Sequence, residues 1–184
     1  MNYYGGKELA ASFRTVRKNT IQVAQEIPED KYDFKPAPES RTVAQTLAHI
    51  ACGTNFAQYL HSERVDSLAK LNFSELMKEG AANEAKLRTK AEIIAALQAN
   101  GEKFSAFLES LPESVLSERV AMPPGADPAA KTRFEMLLSP KEHEMHHRAQ
   151  LMTVERMVGV VPHLTRARQE MMARTQAGNG QQHR

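Results

Sequence analysis

Residues 139–151 read SPKEHEMHHRAQL, and they combine a strong helix start with a pair of histidines at a helical spacing. Ser139 fits the N-cap of a helix, Pro140 the first helical position and Glu142 the third. The apolar periodicity then continues until Gly159, which is a typical helix stop. The sequence therefore predicts a long helix that begins at Ser139.

His143 and His147 are four residues apart, so their side chains lie on one face of this helix, with about 5–6 Å between their Cβ atoms. Further helical steps reach Leu151 and Val154, which places the pair on the face that turns towards the core, near the start of the helix. Two imidazoles at this separation can bind one metal ion. The spacing alone also fits a surface pair, but a buried imidazole needs partners for both ring nitrogens, which favours a metal.

A catalytic zinc-type site takes three protein ligands and leaves one position open, so a third ligand is required. His49 is the candidate, because it lies within a predicted helix and Gly53 leaves space beside it. On its own, His49 would equally fit a hydrogen-bonded core histidine. We expect Cys52 to be a small buried apolar residue, and His146 to lie behind the ligands or to face solvent. The remaining histidines are expected to be solvated, namely His61, His163 and His183.

The apolar pattern predicts four long helices, at residues 7–27, 42–61, 89–111 and 139–158. Residues 30–41 are expected to be an ordered connection, with Tyr32 and Phe34 inserted into the core. Residues 64–88 are interpreted as a long crossover with a short helix at 71–77 and a break at Glu79 and Gly80. The proline-rich residues 112–130 are predicted to form a loop rather than a regular element.

The predicted fold class is therefore all-α, a four-helix bundle with a long crossover connection and short extra helices. A further helical stretch is expected to end near Arg174. Residues 1–175 form the predicted single domain, and residues 176–184 a disordered tail. Bundles of this kind build metal sites from side chains on facing helices.

Composition narrows the possible functions of this 184-residue chain. The net charge is only +2 and acidic residues alternate with basic ones, so we expect no nucleic acid partner. No segment approaches the roughly 20 apolar residues that cross a bilayer, so no membrane partner is expected. A single cysteine and an amino terminus without the apolar core of a signal peptide predict a cytoplasmic protein. A small-molecule substrate remains the expected partner.

Two motifs together suggest a family: RTVAQTLAHI at residues 41–50, followed about ninety residues later by HEMHHRAQL at residues 143–151. This combination resembles the DinB-like superfamily of metal-binding four-helix bundles, over roughly residues 9–162. The resemblance implies that His49, His143 and His147 bind a divalent metal such as zinc or nickel. Ala149 stands where the family commonly has glycine, a change that leaves the ligands intact.

Relatives of this kind include transferases that use low-molecular-weight thiols and proteins described as hydrolases, and they often form homodimers. The resemblance therefore implies a metal-dependent enzyme that activates a small thiol or a water. Two alternatives stay open: a noncatalytic metal-binding stress-response or ligand-binding bundle, and a bundle with purely structural histidines. A general base is not assigned, and the acidic or basic residues near enough to be considered are Glu142, Glu144 and His146.

Overall fold

The computed structural model of the protein describes residues 4–181, with side chains through residue 176. The longer helices are α1 (Gly6–Glu26), α2 (Val43–Cys52), α3 (Thr54–Ser62), α4 (Phe73–Glu84), α5 (Lys90–Ser110), α7 (Arg133–Met157) and α8 (His163–Gln181). A single-turn helix, α6 (Glu113–Leu116), precedes two short antiparallel strands, β1 (Arg119–Ala121) and β2 (Ala130–Thr132). Short 3-10 turns lie at Glu29–Lys31 and Leu68–Lys70. None of the helices described is both long and apolar enough to cross a membrane.

Helices α1, α5 and α7, together with the consecutive pair α2 and α3, pack around a common core and confirm the predicted four-helix bundle. The core consists of two apolar clusters. One contains Phe13 and Phe104, whose rings meet edge to face with their centroids 5.0 Å apart. The other contains Val23, Leu47 and Leu151. The second cluster also includes Tyr32, whose hydroxyl donates to the carbonyl of Ala24 at 2.6 Å, and Phe34 packs against it, as the sequence predicted.

The prediction that the last long helix begins at Ser139 is wrong. The N-cap of α7 is Thr132, whose side chain accepts from the amide of Glu135 while the Glu135 carboxylate accepts from the amide of Thr132. This capping box satisfies two amides at the helix end, and Pro140 then lies buried inside the helix. Proline inside a helix removes one amide donor and crowds the carbonyl four residues before it, at a cost of about 3 kcal/mol, which the packing around the buried Pro140 must offset. As a result, His143 lies in the middle of α7 rather than near its start.

Other element boundaries also differ from the prediction. The predicted helix at 42–61 is interrupted at Gly53 and forms α2 and α3. Helix α4 continues through Gly80, because an isolated glycine in an exposed helix costs only about 1 kcal/mol. The proline-rich segment is not only loop, since it contains α6 and β1. Helix α8 extends past the predicted end at Arg174 to Gln181, so it overlaps the predicted disordered tail, while residues 182–184 lie outside the described residues.

A buried ion pair separates the two apolar clusters. The guanidinium of Arg17, on α1, donates through Nε to both carboxylate oxygens of Glu144 on α7, at 3.0 Å each. Its Nη1 donates to the carbonyl of Leu97 on α5 at 2.8 Å, and its Nη2 to that of Ile50 on α2 at 3.4 Å. A Cβ at Gly101 would lie 2.7 Å from Cγ of Arg17, so only glycine fits there. One side chain thus links four helices.

We predict that Glu144→Ala destabilises the protein by about 3–5 kcal/mol, because it leaves the buried guanidinium of Arg17 without its counter-charge. The matched control is Glu142→Ala, which removes an exposed carboxylate from the same helix and should change stability by less than about 0.5 kcal/mol. Urea unfolding in the presence of a chelator measures both. Equal, small effects would show that the ion pair does not hold the helices together.

A second buried polar cluster lies where α1, α7 and α8 meet. Glu155 is fully buried, and within the described part of the chain neither of its carboxylate oxygens has a hydrogen-bond partner. One oxygen of Glu26 and Nδ1 of His163 are likewise buried without partners there. Burial, reinforced by the negative charge of Glu26, raises the pKa of Glu155 to about 7, and the charges of Arg166 and Arg156 oppose this shift.

Glu155 should make stability depend on pH. Between the ordinary carboxyl pKa near 4.5 and the raised pKa of about 7, the folded state binds more protons than the unfolded state, so stability falls as pH rises through this window. We predict that Glu155→Gln matches the parent protein near pH 5 and exceeds it by about 2–3 kcal/mol at pH 8. The check is urea unfolding across this range, with Glu170→Gln as an exposed control on α8. A difference independent of pH would contradict the assignment.

Candidate metal centre

The structure brings His49, His143 and His147 together between α2 and α7. The ring centroids are 4.8 Å apart for His49 and His143, 5.0 Å for His49 and His147, and 4.6 Å for His143 and His147. One nitrogen from each ring lies within 4.8 Å of the other two, and each residue is partly buried. Among the described residues, this is the one group of three or more potential ligands close enough to hold a metal ion.

Two neighbouring side chains form hydrogen bonds with the Nδ1 atoms of His49 and His147, which are called the outer nitrogens below. Nδ1 of His49 lies 2.7 Å from a carboxylate oxygen of Glu84, at the end of α4. Nδ1 of His147 lies 2.9 Å from Oε1 of Gln150, one turn later on α7. Both oxygens accept, so each Nδ1 carries the proton and each Nε2 keeps a lone pair. This is the tautomer that a metal ion requires from Nε2 ligands.

The spacing of the inner nitrogens suits a tetrahedral ion. Nε2 of His49 and Nε2 of His143 are 2.9 Å apart. Two nitrogens bound to zinc at about 2.0–2.1 Å with tetrahedral angles are about 3.3 Å apart. An ion would fit after these two rings separate by a few tenths of an ångström and the nitrogen of His147, which lies within 4.8 Å of both, comes to the same spacing. Three histidine ligands would leave a fourth position open.

The surroundings of two of the three histidines favour the neutral ring. Burial lowers the pKa of His143 to about 4, and the positive charges of the neighbouring histidines and of Arg41 lower it further. Burial likewise lowers the pKa of His147, although the hydrogen bond with Gln150 opposes this shift. Neutral imidazoles offer their lone pairs to a cation without first releasing protons.

Gly53, at the junction of α2 and α3, determines how closely His143 can approach. A Cβ at this position would lie 3.3 Å from both Cε1 and Nδ1 of His143 and 3.2 Å from the carbonyl oxygen of His49. The sequence placed the space left by Gly53 beside His49, and the structure shows that the ring of His143 occupies it. The break between the two helices therefore lies directly against the candidate site.

Two of the histidines predicted to be solvated are buried. His61 is 2% exposed, its Nδ1 accepts from Arg133 at 3.2 Å, and burial together with that guanidinium lowers its pKa to about 4. His163 is 7% exposed. His183 lies outside the described residues. Cys52 is half-buried rather than fully buried as predicted, and burial raises the pKa of its thiol.

The three residues considered as general bases lie in different environments. Glu144 is held by Arg17 in the core and is unavailable. Glu142 and His146 are both exposed. Nε2 of His146 accepts from the amide of Gln150 at 3.1 Å, and that amide also holds His147, so His146 lies behind a candidate ligand as predicted.

Sequence reasoning missed the two side chains that orient the ligands. Gln150 lies three residues after His147, and this helical spacing is a signal that could have identified it. Glu84 lies 35 residues after His49, at the end of what was interpreted as a crossover. No local pattern marks it, because only the packing of α4 against α2 brings the two residues together.

A groove of about 590 Å³ lies beside one of the three histidines. Its lining includes His147 and Gln150 on α7 and residues 39–41 ahead of α2, but neither His49 nor His143. This volume suits a small molecule. Another groove, of about 570 Å³ between α1 and α5, does not include the histidines.

The fold and the site together define a class of protein, a four-helix bundle whose facing helices carry a three-histidine group compatible with a divalent metal ion. The chain belongs to the DinB superfamily, whose family model matches residues 12–151. This match covers most of the bundle and confirms the resemblance seen in the two histidine motifs.

Individual relatives support the same fold. The protein YjoA of Bacillus subtilis is 24% identical over 155 residues, which cover 83% of this chain and 90% of YjoA. Its crystal structure, described as that of a DinB-like protein, aligns with a TM-score of 0.61 at 23% identity and covers 83% of this chain and 92% of YjoA.

A second structural relative carries a description of function. YfiT of Bacillus subtilis is described as a probable metal-dependent hydrolase with an unusual four-helix bundle topology. It aligns with a TM-score of 0.64 at 16% identity and covers 84% of this chain and 88% of YfiT. Because these sequence identities are below 25%, the structural comparisons establish the fold alone.

We predict that Glu84→Ala weakens zinc binding by about 10- to 100-fold, because Nδ1 of His49 loses the acceptor that fixes its tautomer and ring orientation. Glu79→Ala is the matched control, since it removes an exposed carboxylate from the same helix. Competition with a chromogenic zinc chelator measures both affinities. Equal affinities of the two variants would mean that Glu84 does not orient His49.

Proposed function

We propose that this protein binds one divalent metal ion, zinc, nickel or a similar ion, through His49, His143 and His147, and that it is a metal-dependent enzyme of the thiol S-transferase or hydrolase type. The observation that carries the proposal is the convergence of three histidine nitrogens, one from each ring, within 4.8 Å of one another. Glu84 and Gln150 lie within hydrogen-bond distance of Nδ1 of His49 and of His147, which leaves Nε2 of each neutral ring free to bind a cation. A cation between these nitrogens satisfies all three.

The chain's own residues would act mainly by positioning. Three ligands on two packed helices would leave one position for an exchangeable small molecule, and the groove beside His147 is the nearest space described for the rest of that molecule. A bound divalent ion lowers the pKa of a water or thiol at that position and so supplies a nucleophile at neutral pH. The groove would hold the electrophilic substrate next to it. Among the residues considered as proton acceptors, Glu142 and His146 are exposed, and His146 already accepts from Gln150.

We expect the parent protein to bind one equivalent of zinc, nickel or manganese and to catalyse either conjugation of a small thiol with an electrophile or hydrolysis of an ester. Alanine variants of His49, His143 and His147 should lose the metal and the activity together. His146→Ala should keep the metal, because this exposed residue is not a ligand. Elemental analysis of dialysed protein and a paired activity assay provide the two readouts.

The outcomes separate the rival functions. Metal bound by the three histidines without activity towards any thiol or ester would favour the noncatalytic metal-binding bundle. Metal content that the alanine variants do not reduce would contradict the proposed ligands. Absence of bound metal under all loading conditions would leave the histidines with a structural role.

A further inference from the structure

Arg41 lines the groove beside His147, one of the three candidate ligands. It directly precedes Thr42, the N-cap of α2, and it is exposed. A molecule in this groove can therefore contact both His147 and Arg41.

The guanidinium of Arg41 is available to a ligand. The other arginines nearest the site are engaged, since Arg17 is paired with Glu144 and Arg148 donates to the carbonyl of Val16 at 3.1 Å. Within the part of the chain that the structure describes, Arg41 takes part in no ion pair. It therefore offers a full set of donors to the groove.

The helix end beside Arg41 cannot itself bind an anion, because its amides already have acceptors. The amide of Thr42 donates to Gln45, and the amide of Gln45 donates back to Thr42. The next two amides donate to carbonyls of the preceding connection, from Val43 to Phe34 and from Ala44 to Tyr32. An anion in the groove must therefore find its positive partner in a side chain.

The two threonine hydroxyls of the groove are also engaged. The hydroxyl of Thr46 donates to the carbonyl of Thr42 at 2.9 Å, and that of Thr153 to the carbonyl of Ala149 at 3.3 Å. Glu39 also lines the groove, and its negative charge disfavours a multiply charged group such as a phosphate dianion. A single negative charge suits one guanidinium beside one carboxylate.

We propose that the groove takes small molecules that carry a carboxylate, and that Arg41 binds this group while the rest of the molecule reaches the metal position. The inference rests on the proposed metal site and adds a substrate class to it. Arginine is the side chain best suited to this role, because its planar donor pair matches the two oxygens of a carboxylate. Arg41 then determines specificity, and the three histidines provide the ligands.

Cobalt(II) bound to the full chain provides the test, because a thiolate that coordinates cobalt produces a charge-transfer band that can be titrated. The probes are 4-mercaptobenzoate and 3-mercaptobenzoate, compared with neutral 4-mercaptobenzyl alcohol. Their rigid rings prevent the carboxylate and the sulfur from binding the same ion. The variants are Arg41→Gln, Arg41→Lys and, as a matched control, Lys78→Gln, which removes an exposed positive charge on α4.

We expect the parent protein to bind at least one of the mercaptobenzoates about tenfold more tightly than the alcohol, as one charged hydrogen-bonding pair allows. Arg41→Gln should abolish this preference without changing affinity for the alcohol, Arg41→Lys should restore part of it, and Lys78→Gln should leave it intact. An equal preference in Arg41→Gln and the parent, or none in the parent, would overturn the role of Arg41 and leave the metal site standing. Failure of cobalt to bind the three histidines would overturn both proposals.

Discussion

The buried pair of Arg17 and Glu144 is the interaction on which the rest of the structure depends. It lies between two apolar clusters and joins α1 to α2, α5 and α7 through one guanidinium. Consecutive residues of a helix point about 100° apart, so fixing Glu144 towards α1 also fixes the direction of His143. The ion pair therefore sets the rotation of α7 that turns its histidines towards His49. Burying two charges costs desolvation free energy, so the ion pair contributes to the orientation of α7 as much as to its stability.

The connection between α3 and α5 contributes to the site as well as to the topology. Helix α4, within this connection, brings the carboxylate of Glu84 to Nδ1 of His49. Gln150, on α7 itself, accepts from Nδ1 of His147. Each acceptor fixes a proton on the outer nitrogen and leaves the inner nitrogen for a cation. The candidate ligands thus lie on α2 and α7, and the groups that orient them lie on α4 and on α7 itself. Arg41 adds a positive charge to the groove beside His147.

Much of the fold followed from local signals. Helix periodicity located three of the four long segments of the bundle, and the structure shows Thr42 and Thr89 as the N-caps of α2 and α5. The start of α7 was misplaced because Thr132 with Glu135 and Ser139 with Glu142 carry the same signature, and packing decided between them. The spacing of His143 and His147 predicted a shared face. Glu84 could not be predicted, since its contact with His49 depends on tertiary packing. The burial of His61 depends likewise on Arg133, 72 residues later.

In the proposed metal centre, the Nε2 atoms of His49, His143 and His147 bind one common ion. An anomalous difference map from crystals of the zinc-loaded protein, collected on both sides of the zinc absorption edge, tests this directly. We expect one strong peak about 2.0–2.1 Å from each of the three nitrogens, with a non-protein ligand at the fourth position. A peak held by other residues, or three histidine rings that diverge with no peak between them, would contradict it.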